Sequence, residues 1–201
     1  MNTQMITRGL AIGALALGGF AVIAGSPRAG AGDLNIEALA REVETEADHV
    51  TAIELARWIR DRKPGLRVID LRDSIDFDQY HLPLAERIPL NRLVTAPFTH
   101  AETIVVYSGG GTHAAQGWVF LRARGYRQVF FLRGGAAEWL DDVMNPLLPA
   151  SSTGNARAEL DSIAALSRYF GGVPRRTDSI VELSRAESWK ATSARVRWRG
   201  C

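Results

Sequence analysis

Apolar residues along this chain fall into two alternating patterns, short continuous runs and longer stripes of helical period. The runs are "RVIDL" (67–71), "TIVVY" (103–107) and "QVFFL" (128–132). Each is too short for a helix and lacks the in-out alternation of a half-exposed strand, which predicts parallel strands covered on both faces. Before the first run, "HVTAIELARWIRDRKPG" carries an apolar stripe at Ile53, Leu55, Ala56 and Ile59. Thr51 and Glu54 form a capping box at its start, and Pro64-Gly65 stops it. Further helices are expected around 74–80, over 113–124 and from Gly135 through Trp139, with a loop holding Pro83 and Pro89 between the first two strands. Strands alternating with helices predict an α/β fold with a central parallel sheet, whose ligands lie beyond the carboxyl ends of the strands.

Outside this region the pattern weakens. Residues 32–48 are polar and acidic, with Leu34, Ile36, Leu39, Ala40 and Val43 at roughly helical spacing, so a short flanking helix is expected. After Pro149, "SSTGN" reads as a linker and "ARAELDSIAALSRYFGG" as a helix of about 13 residues closed by glycines. Residues 173–201 have few large apolar positions and no clear period. From Arg175 onward they hold seven basic and three acidic residues, which reads as a solvated basic tail. Trp189, Val196 and Trp198 fit that reading poorly, because they would be wasteful if never buried. The expected division is 1–31, 32–48, 49–149 and 150–201.

The first of these segments changes the charge picture. Residues 1–8 carry Arg8 and no acid, and residues 9–25 ("GLAIGALALGGFAVIAG") are wholly apolar or glycine. Ala29-Gly30-Ala31 offers small residues to a signal peptidase, so export is expected, with cleavage after Ala31 or with 9–25 kept as an inner-membrane anchor. Periplasmic or other extracytoplasmic placement follows, with the membrane touched only through this segment. Removing 1–31 takes away Arg8 and Arg28 and no acid, leaving 22 basic residues against 22 acidic ones. The basic balance of the full chain is therefore no argument for nucleic acid, and no recognition motif supports one. Cys201 is the only cysteine and the last residue, which rules out an intramolecular disulfide and a cysteine metal cluster.

Candidate chemistry concentrates in "VVYSGGGTHAAQ" (105–116), where a buried strand runs into Ser108, three glycines and a helix start. A nucleophile elbow would need glycine where Val106 stands, and no acid lies between Ser108 and His113, the one later histidine. A P-loop would need a lysine after the glycines. No cofactor is expected. Ser108, Gly109, Gly110, Gly111, Thr112 and His113 can form an anion-binding loop, since glycine amides turned inward at a helix N-terminus collect positive potential. The same glycines also suit a tight turn with no ligand. His49 and His100 have no sequence neighbours that lift them above surface histidines.

Between 49 and 148 the sequence resembles the rhodanese domain family in four separated segments. "VIDLRD" (68–73) is similar to the family's Asp-x-Arg strand end, and "YHLPLAERIPL" (80–90) to its Gly-His-Ile-Pro-Gly-Ala segment. "FLRGGAAEW" (131–139) resembles Leu-x-Gly-Gly-x-x-x-Trp, and "YSGGGTHAAQGWVFLRARGY" has the length and pattern of the active loop and its helix. The resemblance implies a three-layer rhodanese-like fold, with Asp70 and Arg72 bracing the domain and His81 tying the second segment to its body. A metal role for His81 is not expected, as no ligand partner stands at suitable spacing.

The departures bear on activity. Where the family has the loop cysteine that accepts a sulfane sulfur as a persulfide, this chain has Ser108. Where the family has a loop arginine that fixes the anionic substrate, it has His113, whose charge depends on pH. Tyr80 and Leu84 stand where the second segment usually has glycine. The expectation is an exported rhodanese-like module without ordinary thiosulfate sulfurtransferase activity, a pseudoenzyme that binds a small oxyanion, a sulfur-containing anion or a protein partner at its loop. The alternative keeps sulfur chemistry and assigns the thiol to Cys201, carried on the tail.

Overall fold

The computed structural model describes residues 35–179 together with Glu182 and Ser184. Among the described residues there are seven strands, β1 (His49–Val50), β2 (Leu66–Asp70), β3 (Ala85–Arg87), β4 (Thr103–Tyr107), β5 (Val129–Leu132), β6 (Leu147–Pro149) and β7 (Arg175–Thr177). The helices are α1 (Ile36–Glu44), α2 (Ala52–Arg60), α3 (Ser74–Gln79), α4 (Leu90–Leu93), α5 (Thr112–Ala123), α6 (Gly135–Trp139) and α7 (Gly154–Tyr169). A π-helical turn, Leu140–Met144, continues α6. The first five strands form one wholly parallel sheet in the order β1-β5-β4-β2-β3.

The central strand shows why the continuous apolar runs signalled parallel strands. All five residues of β4 are buried, and they alternate between two cores. Val105 and Tyr107 face Leu55, Ile59, Trp139 and Leu166 on one side, while Ile104 and Val106 face Leu93, Trp118 and Leu121 on the other. Helices α2, α6 and α7 cover the first face, and α4 and α5 the second. Gly117 lets α5 come close, since a Cβ there would lie 2.9 Å from Leu71 Cδ1 and 3.0 Å from Leu93 Cδ2. Trp118 closes that side by donating its indole N–H to the Val129 carbonyl at 3.0 Å.

The described segments on either side of residues 49–149 pack more closely than their composition suggested. Helix α1 lies against the second core through Leu39, and Glu42 forms an ion pair with Arg122. The boundary drawn at 149 is not a break in packing: Leu166 of α7 belongs to the same core as β2 and β4, and Phe170 meets Trp139 edge-on with centroids 5.2 Å apart. The linker expected at "SSTGN" shortens to Ser151 and Ser152, because Thr153 is already the N-cap of α7, which runs for 16 residues. Residues 173–179 are not a solvated tail either. Val173 N–H bonds to Met144 O at 2.7 Å, β7 pairs in parallel with β6, and Asp178 accepts from the Ala150 and Ser151 amides. Backbone pairing with 147–149 satisfies this polar segment, so no hydrophobic period was needed to hold it.

Candidate functional site

The site grows from the carboxyl end of β4. Its strand-to-helix loop needs one left-handed residue, and of the three consecutive glycines only Gly111 supplies it, with φ 97° at the N-cap of α5. Gly109 is exposed with open space around it, so a side chain would fit there. Ser108 is 3% exposed, and its Oγ accepts the Gly111 N–H at 3.1 Å. The hydroxyl thus fills the inside of its own loop. Thr112 begins α5 half-buried, and His113 on the next position is exposed.

A second turn holds this loop in place. Gly134 and Gly135, with φ 62° and 61°, reverse the chain after β5 so that Ala136 N–H reaches Ser108 O at 2.9 Å and Ala137 N–H reaches Gly109 O at 3.3 Å. A Cβ on Gly135 would sit 2.1 Å from Ser108 O, and one on Gly111 would sit 3.4 Å from Gly134 N. The two turns are therefore in direct contact, and each requires glycine for its conformation. Arg133, the residue before them, is 51% exposed and leans on Glu138 at 3.3 Å.

On the other side of β4, Asp70 closes β2. Its carboxylate is 0% exposed and accepts three times from the Arg72 side chain, at 3.0, 3.1 and 2.6 Å, and once from the Arg72 N–H at 2.9 Å. Arg72 also donates to Tyr80 O at 2.6 Å and sits 5.5 Å from the Tyr107 ring centre. Burial works against the Arg72 charge, but the Asp70 carboxylate outweighs it and holds the guanidinium above its ordinary range. Burial first, and the same carboxylate second, push the Tyr107 phenol well above its usual value. Tyr107 is therefore a neutral hydroxyl that accepts the Leu82 N–H at 3.1 Å. Burial likewise raises Tyr80.

Asp70 and Arg72 pair with each other at the end of β2. His81 is different: it is exposed, bonds through Nδ1 to Phe77 O at 3.0 Å and stacks on the Phe77 ring, 4.1 Å between centroids. It finishes its own helix, and the tie between the second segment and the body runs instead through Arg72 to Tyr80 and Tyr107 to Leu82. His49 is also not a plain surface histidine, since it bonds to the buried Asp48 carboxylate at 2.9 Å and lies 5.4 Å from the Phe131 ring. His100 is exposed beside the Tyr126 ring. Cys201 and residues 9–25 lie outside the described residues. Among the described residues no group of three or more histidine, cysteine or acidic side chains comes together to hold a metal, and no helix is long and apolar enough to cross a membrane.

Tyr107 was missed in the sequence as a site residue, although a phenol at the carboxyl end of the run "TIVVY" was a signal that could have found it.

The profile of the rhodanese-like domain family matches residues 51–142. Among curated proteins, the chain is 28% identical over 94 residues to the probable adenylyltransferase/sulfurtransferase MoeZ of Mycobacterium tuberculosis, covering 45% of this chain and 24% of that protein. The chain thus spans about a quarter of the length of the curated relatives it matches. Among solved structures, it is similar to the rhodanese-like domain of the Anabaena sp. Alr3790 protein, at 26% identity, 46% coverage of this chain, 72% of that one and a TM-score of 0.43. A rhodanese-like domain protein from Staphylococcus aureus is 24% identical, with coverage of 47% and 93% and a TM-score of 0.43. Residues 51–142 of this chain form a rhodanese-like domain.

Proposed function

We propose that this rhodanese-like domain binds a small oxyanion at the Ser108–His113 loop and does not carry out ordinary thiosulfate sulfurtransfer. The observation that carries the reading is Ser108 itself, buried at the end of β4 with its Oγ held by the Gly111 N–H. Transfer through a persulfide needs a thiolate that attacks the outer sulfur of thiosulfate, forms an S–S bond and expels sulfite. A thiol with an ordinary pKa near 8.5 can be ionised at a helix N-terminus, while a serine hydroxyl stays protonated and forms no S–S bond. The sulfurtransferase in the name of the M. tuberculosis relative describes that protein, and the serine argues against extending it here. What supports anion binding is the backbone: a left-handed glycine, first-turn amides of a 12-residue helix, and a mouth at the carboxyl edge of a parallel sheet.

Export is part of the same reading, supported by the apolar run at 9–25 and the small residues ending at Ala31. Fractionation of cells producing the full chain, with N-terminal sequencing of the product, tests it. Recovery of an unprocessed chain in the cytoplasm would count against it.

Sulfur transfer from thiosulfate to cyanide, measured for the wild type, Ser108→Cys and Cys201→Ser, tests the main proposal. The wild type is expected to remain at the background rate and Ser108→Cys to gain activity. Turnover by the wild type that disappears in Cys201→Ser would overturn the proposal and assign the chemistry to the terminal thiol.

A further inference from the structure

Two tryptophans and a valine, Trp189, Val196 and Trp198, are costly to leave in solvent. They belong to residues 185–201, which carry five basic residues and one acid, and Trp198 stands between Arg197 and Arg199. A segment of that chemistry fits a surface where an exposed apolar side chain is flanked by carboxylates. The turn that continues α6 has this character. From Gly134 to Ala156 the chain contains Glu138, Asp141 and Asp142 and no basic residue. Leu140, in the middle of these acids, is 37% exposed although it directly follows the fully buried Trp139. Val173, seated by its N–H on Met144 O, adds an exposed apolar group at the end of the turn. Exposed Arg168 and Arg175 border Val173 on α7 and β7, so the bases of the segment are drawn toward Glu138, Asp141 and Asp142 instead.

The chain path allows the contact. Strand β6 follows the π-helical turn through Asn145 and Pro146 alone, and β7 runs beside it, with Thr177 opposite Pro149. Asp178 is fixed there by the Ala150 and Ser151 amides. The five peptide steps from Met144 to Pro149 measure at most about 18 Å, whereas Ser179 to Trp198 spans about 60 Å when extended. We infer that residues 185–201 dock on the π-helical turn, with Trp198 against Leu140 and the neighbouring arginines on Asp141 and Asp142. Surface ion pairs add little by themselves, so the tryptophan carries most of the contact and the charges set where it lands. The docked segment lies on the helix whose first amides hold the Ser108 and Gly109 carbonyls, and its docking does not depend on what that loop binds.

Cys201 is the only cysteine, so a nitroxide attached to it reports on this segment from a single site, at most about 11 Å of chain from Trp198. The protein is purified from cells producing the full chain, and the paramagnetic broadening of its amide resonances is read by NMR. Broadening is expected at Leu140, Asp141, Asp142 and Asn145 and not at Leu39 or His100, which lie on the other face of the sheet or before β4. Asp141→Asn with Asp142→Asn is expected to lower the ratio of docked to undocked chain about two- to fivefold, as is raised salt. Trp198→Ala, which leaves the body of the fold untouched, is expected to lower it about tenfold or more. Broadening absent from the body, or unchanged in Trp198→Ala, would overturn the inference. So would broadening confined to Gly109, Gly110 and Gly111, which would place the segment on the Ser108 loop instead. A mixture of spin-labelled chain and isotope-labelled Cys201→Ser chain identifies the occupant: broadening of residues 140–145 in the mixture would assign the contact to a second copy and overturn docking within one chain.

Discussion

Leu84 holds a φ of 63° with its side chain 66% exposed. A left-handed conformation costs a residue with a Cβ about 1–2 kcal/mol, and an exposed leucine returns little of that through packing. Leu84→Gly is therefore expected to raise stability by about 0.5–1 kcal/mol after the greater unfolded-state freedom of glycine is deducted, measured by urea denaturation. A loss of stability would mean that the leucine side chain contributes packing beyond its exposed position. Asp70 is the opposite case, a buried acid that Arg72 cannot lose cheaply. Asp70→Asn leaves a largely buried guanidinium without its counter-charge, and the same measurement should show a loss of about 3–5 kcal/mol. At this scale the sequence was informative where both partners lie close along the chain. Asp70 and Arg72, two residues apart at a strand end, could pair with each other or with nearby backbone, and they do both. Whether His81 reached the body of the fold or its own helix depended on the path of 80–84, and the hold of the Gly134 turn on the Ser108 loop joins residues distant in sequence, so neither could be read from local pattern.

Helix α2 was legible because its signals agree with each other: a capping box, an apolar stripe and a Pro-Gly stop. The box is formed as expected. Thr51 Oγ1 accepts the Glu54 N–H at 3.2 Å, and the Glu54 carboxylate accepts the Thr51 N–H at 3.0 Å and its hydroxyl at 2.8 Å. The backbone hydrogen bond from Thr51 is the main reason that the Glu54 carboxyl lies below its ordinary value, with burial opposing it. A depressed carboxylate stabilises the fold above its unfolded pKa, near 4.5, and that contribution fades as pH falls through the lower folded value. Glu54→Gln is therefore expected to flatten the stability profile below about pH 4.5 relative to the wild type, with a small effect because the residue is largely exposed. Identical acid profiles would remove Glu54 from the linkage. Thr51→Ala should cost about 1 kcal/mol at neutral pH. Strand β3 shows why other elements stayed hidden. Its three residues, Ala85–Arg87, are flanked by Pro83 and Pro89, and two of them are exposed, so the signal that marks β4 is absent. Strands β6 and β7 escaped for a related reason, since their pairing is carried by backbone and by arginine side chains. Arg176 donates to Pro149 O at 3.3 Å and to Asp161 at 2.5 Å.

The family match ends at residue 142, but the packing of the molecule does not. Leu166 is 1% exposed in the core that holds Leu55, Val105 and Trp139, and Ala164 beside it is also buried. Arg57 of α2 pairs with Glu159 of α7 at 2.5 Å, and the π-helical turn after α6 gives its Met144 carbonyl to Val173. Surface ion pairs of this kind add little, so the weight of the interaction falls on buried apolar groups. Truncating Leu166 to alanine should then cost about 2–5 kcal/mol, a value typical of a core position and far above that of a helix lying on a finished domain. The same logic predicts that a chain ending at Pro149, although it contains the whole matched segment, unfolds at markedly lower urea than the full chain, because removing α7 uncovers Trp139, Val143 and the α2 face at once. Equal midpoints for the truncated and full chains, together with a loss below about 1 kcal/mol for Leu166→Ala, would show that the 51–142 segment closes its own core. A large loss in both would establish that the stability of the loop at Ser108 depends on α7, through Trp139 and the α6 turn that carries the Ser108 and Gly109 carbonyl contacts.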